Sequence, residues 1–419
     1  MQSQLTTLKN GLRIITSNFP QLESVSLGLW VQTGSAYEKE EDNGISHFLE
    51  HMSFKGTKKR TALQISEEIE DVGGQSNAYT AREFTAYYAK MLKNDMALAA
   101  DVLTDSLINS TYPEEELVKE REVVVQEIKQ TIDAPDDIIF DYFQETAFPN
   151  QAIGRSILGN KEKVRGFTKE TLQNYLHTNY GAENMIACAV GNIDHNEFVK
   201  VIEDHLGDYK TKTDFVPEDQ VYKGGFYVEE RPIEQAHFAL GFKGLPYKTE
   251  DYYTEMLLSS MLGGGMSSRL FQEIREKRGL AYSVYSFAAA HTKAGMFGIY
   301  AGTGKKDLKE MIPVIAEEIR KVCDNPFEAK ELQRAKTQMK ASMLMALESP
   351  SSTAEMMARQ MLIYNRVIPV EEMVARIEKV TLEDVQRLAN EIFSSTPTYA
   401  LLGAVEQRID YDELQKLLR

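Results

Sequence analysis

The residues best suited to chemistry are two histidines, His47 and His51, which flank Glu50 in the segment HFLEH. Residues four apart on a helix lie on one face with about 5–6 Å between their Cβ atoms, so both imidazoles can reach one cation. Glu50 follows His47 by three residues, so its carboxylate shares that face. Neutral imidazole suits Zn²⁺, and a catalytic zinc has three protein ligands and an open fourth position. The segment therefore predicts two ligands, and a third, expected to be a carboxylate, must come from elsewhere.

The alternative is that both histidines are surface residues of an ordinary amphipathic helix. The residues between and after them, Phe48, Leu49 and Met52, are apolar and predict a largely buried helix. A buried helix favours the metal site over the surface pair. Asp42 and Asn43 precede the helix and are its candidate N-caps.

The composition indicates a globular protein with sizeable cores. The chain has 419 residues, of which 42% are hydrophobic and 26% charged, and its length predicts two or three domains. The formal charge of −16 argues against nucleic-acid binding, because phosphates require lysine and arginine. An acidic surface is compatible with a basic peptide substrate, although it more often serves solubility.

The cysteines and the N-terminus bear on the compartment. Cys188 and Cys323 are the two cysteines of the chain, too few for a disulfide framework, so a reducing compartment is expected. Cys188 lies in an apolar run and is predicted to be a core residue. The N-terminus has neither the basic and apolar regions of a signal peptide nor the arginine-rich character of an organellar presequence. No apolar run approaches the roughly 18 residues that cross a bilayer, so no membrane span is predicted.

The order of the predicted elements occurs twice along the chain. In each half a strand leads to helices, then to two adjacent strands, and then to further helices, a strand and a helix. Residues 211–222 are polar and lack periodicity, which predicts a linker between domains at 1–210 and 223–419. Two structurally similar domains are therefore expected. In the place of HFLEH the second half has MLLSSML, so the histidine pair belongs to the first half alone.

The histidine motif extends to HFLEHMSFKGT, residues 47–57, and contains H-x-x-E-H, the inverse of the zinc motif H-E-x-x-H. It resembles the pitrilysin/insulinase family of zinc metallopeptidases, in particular the mitochondrial processing peptidase β-subunit branch and its one-chain bacterial relatives. The resemblance covers essentially the whole chain, including the repeated halves. It implies an α+β fold of two similar domains, each a mostly antiparallel sheet packed against a layer of helices.

The resemblance also implies the rest of the metal site. In the family the third ligand is a glutamate about 76 residues beyond the second histidine, and here that residue is Glu127. Glu120 lies two helical turns earlier and matches a supporting glutamate that orients a metal-bound histidine. Glu50 is then expected to be the general base for zinc-bound water, with one Zn²⁺ per chain. From spacing alone, Glu120 and Glu127 are more simply interpreted as solvated charges on a helix rich in Glu and Lys.

Further matches concern substrate contacts. Asn77 and Ala78 match the N-A pair of the family's substrate-binding edge strand, to which an extended peptide adds through its backbone. Arg275 and Tyr282 match the family's Arg–Tyr segment, in which both approach the substrate and the tyrosine helps to stabilise the oxyanion. Without the resemblance, these residues would be interpreted as an ordinary hairpin strand, a surface arginine and a buried strand tyrosine.

The glycine-rich stretch LGGGMSSRL, residues 262–270, bears on assembly. It is not a phosphate loop, because it lacks the G-x-x-x-x-G-K-[ST] spacing. It is shorter than the glycine-rich loop of the family's noncatalytic α-type partner, and together with the intact zinc motif this predicts a self-sufficient chain. Two copies about a two-fold axis would complete the closed chamber of the double-length family members, so a homodimer is expected.

The leading hypothesis is a zinc endopeptidase that cleaves peptides or unfolded presequence-like segments, with basic ones favoured, inside a dimeric chamber. Two alternatives stay open: a noncatalytic structural or assembly subunit of the same fold, and a catalytic subunit that needs a separate partner chain. The full set of His47, Glu50, His51 and Glu127 argues against the first. A bacterial cytoplasmic location is expected, with a processed chain of the mitochondrial matrix as the alternative.

Overall fold

The computed structural model of the chain describes residues 3–210, 212–213, 218–325 and 327–419. The predicted linker at 211–222 lies in part outside these ranges, at residues 211 and 214–217. Its described end, residues 218–222, contains neither helix nor strand. Within the described ranges, none of the helices is long and apolar enough to cross a membrane.

The strands form two sheets. The first sheet contains β1 (Ser3–Thr7), β2 (Arg13–Asn18), β3 (Ser24–Val31), β4 (Gln75–Thr80), β5 (Thr85–Leu92) and β6 (Met185–Gly191). The second sheet contains β7 (Gly225–Glu230), β8 (Gln235–Gly244), β9 (Ala281–Ala290), β10 (Gly295–Gly304) and β11 (Thr398–Gly403).

Helices fill most of the remaining described chain. They are α1 (Ile45–Ser53), α2 (Ala62–Glu70), α3 (Met96–Ile108), α4 (Glu114–Asp133), α5 (Pro135–Ala147), α6 (Lys161–Gly166), α7 (Lys169–Asn179), α8 (His195–Leu206), α9 (Tyr252–Gly263), α10 (Leu308–Asp324), α11 (Ala329–Ala346), α12 (Pro350–Tyr364), α13 (Val370–Lys379), α14 (Leu382–Phe393) and α15 (Tyr411–Leu418). A π-helical segment, Phe271–Glu276, precedes β9.

The two sheets share one strand topology. The first has the order β1-β2-β6-β3-β5-β4 and the second the order β7-β11-β8-β10-β9. In each sheet one pair is parallel, β2 with β6 and β7 with β11, and the other pairs are antiparallel. Strands β2 to β6 therefore correspond in order to β7 to β11, and β1 is an additional edge strand. The predicted fold class, two similar α+β parts with mostly antiparallel sheets, is confirmed.

By packing, the chain divides into two compact units, and each unit takes one helix from the other half of the sequence. Unit 1 comprises Met1–Lys129, Arg155–Glu218 and Met343–Val370, and unit 2 comprises Gln130–Gly154, Asp219–Ser342 and Glu371–Arg419. Helix α12 accordingly packs on β3 and β6 in unit 1, and α5 packs on β7, β8 and β11 in unit 2. The sequence division into 1–210 and 223–419 stays a prediction, whereas packing assigns these two helices across it.

Each unit has its own apolar core. In unit 1, Trp30 and Cys188 of the sheet pack with Met357 and Met361 of α12. Cys188 is fully buried, as its apolar surroundings in the sequence predict. In unit 2, residues of β8, β10 and β11 pack with α9, α10 and α14 in a second cluster.

Four elements, β1, β7, α6 and α13, were not predicted from the sequence. Strands β1 and β7 are short edge strands whose residues are exposed or half-buried, so no buried alternation marks them. Helix α6 has six residues, too few for a visible period. Helix α13 does carry a signal, because its buried Met373 and Ile377 are four residues apart. Arg275 lies in the π-helical segment, Phe271–Glu276.

Candidate metal centre

Helix α1 turns its apolar residues to the core and its histidines to the other side. Phe48, Leu49 and Met52 are all 0% exposed, which fixes the rotation of the helix about its axis. His47 and His51 keep 13% and 17% of their side-chain surface exposed, and their ring centroids lie 4.6 Å apart. The predicted buried helix is therefore present, with both imidazoles on one face.

The start of α1 is held by a buried carboxylate. Glu38 accepts hydrogen bonds from the backbone N–H groups of Gly44 and Ser46, each at 2.8 Å, and from the Asn43 side chain at 3.0 Å. Burial raises the pKa of Glu38, and these donors oppose the rise. The predicted caps are wrong, because neither Asp42 nor Asn43 caps the helix, and the cap position is Gly44 with φ of 98°. A carboxylate from outside the helix satisfies the free N–H groups of the first turn instead.

Helix α4 brings two glutamates to the histidines. Glu127 Oε2 lies 3.6 Å from His47 Nε2 and 3.5 Å from His51 Nε2. Glu120 Oε2 lies 3.0 Å from His51 Nδ1. One ligand atom from each of His47, His51 and Glu127 lies within 4.8 Å of the other two. The structure thus brings together the predicted ligand set, with Glu120 behind one of the imidazoles.

The two histidines differ in their electrostatic surroundings. Burial, and then the charge of His51, lowers the pKa of His47 to about 3, so this imidazole is neutral. Its approach to Glu127 is therefore not an ion pair but two ligand atoms that face a common point. Burial also opposes protonation of His51, but the hydrogen bond to Glu120 and the charges of Glu127 and Glu50 outweigh it and raise the pKa.

These residues fit a zinc ion. Two imidazole nitrogens and one carboxylate oxygen are the donors of a three-ligand catalytic zinc site. Because Glu120 accepts from His51 Nδ1, the lone pair of His51 lies on Nε2, the nitrogen that faces Glu127. Such carboxylate partners orient histidine ligands and fix their tautomer in zinc sites.

Glu50 points to the edge strand of the first sheet. Its Oε2 accepts a hydrogen bond from the Thr80 hydroxyl of β4 at 2.5 Å. Burial raises the pKa of Glu50, and this hydrogen bond and the charge of His51 oppose the rise. Thr80 was not predicted from the sequence. Strand alternation offered a signal, because Thr80 lies two residues beyond Ala78 and so faces the same side of the sheet.

Lys55 is a second residue of the site that was not predicted from the sequence. It lies within HFLEHMSFKGT, and its Nζ is 2.8 Å from Glu120 Oε1. Glu120 therefore has one oxygen at Lys55 and the other at His51. These contacts lower the pKa of Glu120 although burial alone would raise it. The sequence shows that the motif contains a lysine, but it does not predict that Lys55 contacts Glu120.

Asn77 and Ala78 lie on β4, at the edge of the first sheet. They pair with Tyr88 and Tyr87 of β5 on one side, and among the described residues no further strand pairs with β4 on the other. Asn77 is exposed, and its Oδ1 accepts a hydrogen bond from the backbone N–H of Ala78 at 2.9 Å. The strand is therefore open to backbone pairing, as its predicted role requires.

Arg275 and Tyr282 belong to unit 2. The guanidinium carbon of Arg275 lies 4.9 Å from the ring centroid of Phe271 in the π-helical segment. Tyr282 is on β9 and is 74% exposed, so the alternative of a buried strand tyrosine is wrong. Their contact with substrate remains a prediction of the resemblance.

An H-x-x-E-H helix joined by a carboxylate from a second helix is the arrangement of the inverted-motif zinc metallopeptidases. Comparison with known families gives the same class. Residues 13–161 match the family model described as insulinase, peptidase family M16, and residues 166–339 match the model described as peptidase M16 inactive domain. The candidate ligands all lie within the first matched region.

Relatives of similar length place the chain in one family. It is 40% identical over 401 residues to the "Uncharacterized zinc protease YmxG" of Bacillus subtilis (strain 168), across 95% of this chain and 97% of that one. It is 34% identical over 432 residues to the "Mitochondrial-processing peptidase subunit beta" of Mus musculus, across 100% and 88%. The chain belongs to the insulinase family, peptidase family M16. The family and the names of these relatives support a zinc-dependent peptidase.

Solved structures share the fold. A protease from Helicobacter pylori superposes with a TM-score of 0.89 at 24% identity, covering 96% of this chain and 99% of that one. A peptidase M16 inactive domain from Pseudomonas fluorescens superposes with a TM-score of 0.90 at 18% identity, covering 98% and 99%. At these identities the likeness concerns the architecture alone.

Proposed function

We propose that the chain is a zinc endopeptidase in which His47, His51 and Glu127 hold one Zn²⁺. The observation that carries the proposal is the convergence of three ligand atoms within 4.8 Å on two separate helices. Neutral His47 and a His51 tautomer directed by Glu120 supply lone pairs where a cation would sit. The relatives named zinc proteases support the same metal.

The reaction is hydrolysis of a peptide bond, and Glu50 is its general base. When bound, zinc supplies Lewis acidity and lowers the pKa of a coordinated water to about 7. The Glu50 carboxylate accepts a proton from the attacking water and returns it to the leaving amine nitrogen. Thr80 holds Glu50 Oε2, which leaves Oε1 to carry the proton.

Replacement of the proposed base tests this mechanism. We expect Glu50→Gln to bind zinc as the wild type does, because the amide removes no ligand, and to lose about 10²–10⁴-fold in kcat. Zinc content and cleavage of a quenched fluorescent peptide are measured on the same preparation. Glu122→Gln, on the 64% exposed side chain of a nearby α4 residue, is the matched control and should be silent.

Two outcomes would contradict parts of the proposal. A zinc-loaded Glu50→Gln protein with wild-type kcat would exclude Glu50 as the base. Wild-type cleavage that survives complete chelation of zinc would exclude the metal mechanism. Activity that returns on re-addition of zinc supports it.

Substrate is proposed to bind along β4 by backbone pairing, with Asn77 and Ala78 at the strand position nearest the peptide. The position of β4 at the edge of the first sheet supports this, because an edge strand can pair with an added strand through its backbone. Arg275 and Tyr282 are proposed to contact the substrate, with the tyrosine donating to the oxyanion. The high exposure of Tyr282 is consistent with a residue kept free for a ligand.

The favoured substrates are proposed to be basic, unfolded or presequence-like peptides. The formal charge of −16 and the likeness to a mitochondrial processing peptidase subunit support this choice.

The proposed location is the bacterial cytoplasm, which the bacterial relatives support, and the mitochondrial relatives support the alternative, the mitochondrial matrix. Incubation of the purified chain with a mixed peptide library, with and without a zinc chelator, shows which peptides are cleaved and whether cleavage depends on zinc. Inactivity of the zinc-loaded chain on every peptide would favour an assembly subunit or a missing partner.

A further inference from the structure

Each oxygen of the Glu120 carboxylate contacts a different side chain. Lys55 Nζ lies 2.8 Å from Oε1, and His51 Nδ1 lies 3.0 Å from Oε2. The Glu120 side chain is 7% exposed, whereas that of Lys55 is 31% exposed. Water therefore has little access to the carboxylate, and its orientation depends on these two protein partners.

The segment that carries Lys55 is itself held in place. The backbone N–H of Lys55 donates to Met52 O at 3.2 Å, just beyond the end of α1. Two residues later, Thr57 forms a β-bridge with Ser110, and the Ser110 hydroxyl donates to Ser53 O at 2.9 Å. The lysine thus approaches Glu120 from a fixed turn rather than from a free loop.

Without Lys55, the carboxylate of Glu120 would lose its neighbouring positive charge and one of its two protein partners. Three carboxylates, those of Glu50, Glu120 and Glu127, lie around the two imidazoles, and Lys55 adds one positive charge to this set. Removal of the ammonium would leave a largely buried carboxylate with an unsatisfied oxygen, which favours its rotation toward another donor or a cation. The hydrogen bond that sets the tautomer of His51 would then be lost or weakened.

We propose that Lys55 is a positioning residue of the metal site, which holds Glu120 so that Glu120 accepts from His51 Nδ1–H and leaves His51 Nε2 for zinc. The inference rests on the proposed zinc site and adds a residue that touches no ligand. It acts through Glu120, and its effect is on metal affinity rather than on the proton transfer by Glu50.

The test measures zinc affinity by competition with a chromogenic chelator. Loss of an outer partner of a metal ligand typically weakens affinity about 10–100-fold, and Lys55 acts one contact further out, so Lys55→Met is expected at the lower end, about tenfold. Lys55→Arg keeps the charge and is expected to stay within about threefold of wild type. Lys59→Met is the matched control: it removes a lysine four residues later, 55% exposed and paired with Asp101 at 3.1 Å, and should leave zinc affinity unchanged.

A double-mutant cycle separates positioning from a general structural effect. If Lys55 acts through Glu120, Lys55→Met should not weaken zinc binding further in a Glu120→Gln background. Equal zinc affinity of Lys55→Met and wild type would overturn the inference, and so would full additivity of the two changes. A wild-type chain that binds no zinc would overturn the proposed function itself, so the two failures are distinguishable. Thermal unfolding of the metal-free proteins checks that each variant is folded.

Discussion

At the scale of residues, one helix face presents two histidines in unlike states. Burial keeps His47 neutral, so it offers a lone pair without loss of a proton. Burial opposes protonation of His51, but its hydrogen bond to Glu120 and the charges of Glu127 and Glu50 outweigh burial and raise its pKa. The contact with Glu120 settles which nitrogen of His51 keeps its proton.

The hydroxyl of Thr80 is expected to matter for turnover and not for metal affinity. Thr80→Val keeps the shape but removes the donor to Glu50, and a hydrogen bond to a charged group contributes about 1.5–3 kcal/mol. We therefore expect kcat to fall about 10–100-fold with zinc affinity unchanged. Thr80→Ser, which keeps the hydroxyl, should retain most of the activity. Steady-state kinetics with zinc titration check this, and wild-type kcat in the valine variant would refute it.

At the scale of elements, α12 fixes the edge strand from the opposite face of the sheet. Its Glu355 accepts hydrogen bonds from Trp30 Nε1 of β3 at 2.7 Å and from the Tyr79 hydroxyl of β4 at 2.5 Å. Tyr79 and Thr80 are consecutive residues of β4. Tyr79 donates to Glu355 of α12, and Thr80 donates to Glu50. A helix from the second half of the sequence thus supports the strand beside the candidate base.

Loss of Glu355 is expected to destabilise the fold. Glu355→Ala leaves the buried indole N–H of Trp30 and the half-buried Tyr79 hydroxyl without their acceptor, which should cost about 2–4 kcal/mol of unfolding free energy. Glu355→Gln retains one acceptor oxygen and should lose less than half as much. Urea unfolding of metal-free protein measures both variants. An alanine variant as stable as wild type would show that water replaces the carboxylate at no cost.

At the scale of the whole molecule, the two sheets repeat but the metal site does not. Helix α9 stands in the place of α1 and carries Ser259, whose hydroxyl lies 3.4 Å from Ser286 Oγ of β9. This repeats the contact between Glu50 and Thr80 without a carboxylate. Of the residues that the structure describes, His47, His51 and Glu127 form the one cluster with metal-ligand spacing. One zinc per chain is the expected stoichiometry.

A dimer remains a prediction of the family resemblance, in which two copies would complete the closed chamber of the double-length family members. Two copies about a two-fold axis would give a solution mass of about 95 kDa, twice the 47.5 kDa of one chain. Light scattering coupled to size exclusion measures the mass, and activity is assayed across the peak. Full peptidase activity in a 47.5 kDa species would refute the dimeric chamber while leaving the zinc site intact.

Local sequence patterns were enough to predict the features whose residues lie close together in the chain. The placement of His47, Glu50 and His51 on one face follows from helical spacing, and the repeated order of elements follows from hydrophobic periodicity. Glu127 and Glu120 came from the family resemblance, since spacing alone made them ordinary surface charges. Their approach to the histidines depends on how α4 packs, and 69 residues separate His51 from Glu120.

Other contacts were decided by tertiary structure alone. Thr80 reaches Glu50, Lys55 reaches Glu120, and Glu355 crosses from the second half of the sequence to the first sheet. Each contact joins residues whose separation in the chain has no period, so no local pattern can encode it. The motif therefore identified the chemistry from neighbouring residues, whereas the groups that hold its ligands and base became neighbours only when the strands and helices packed.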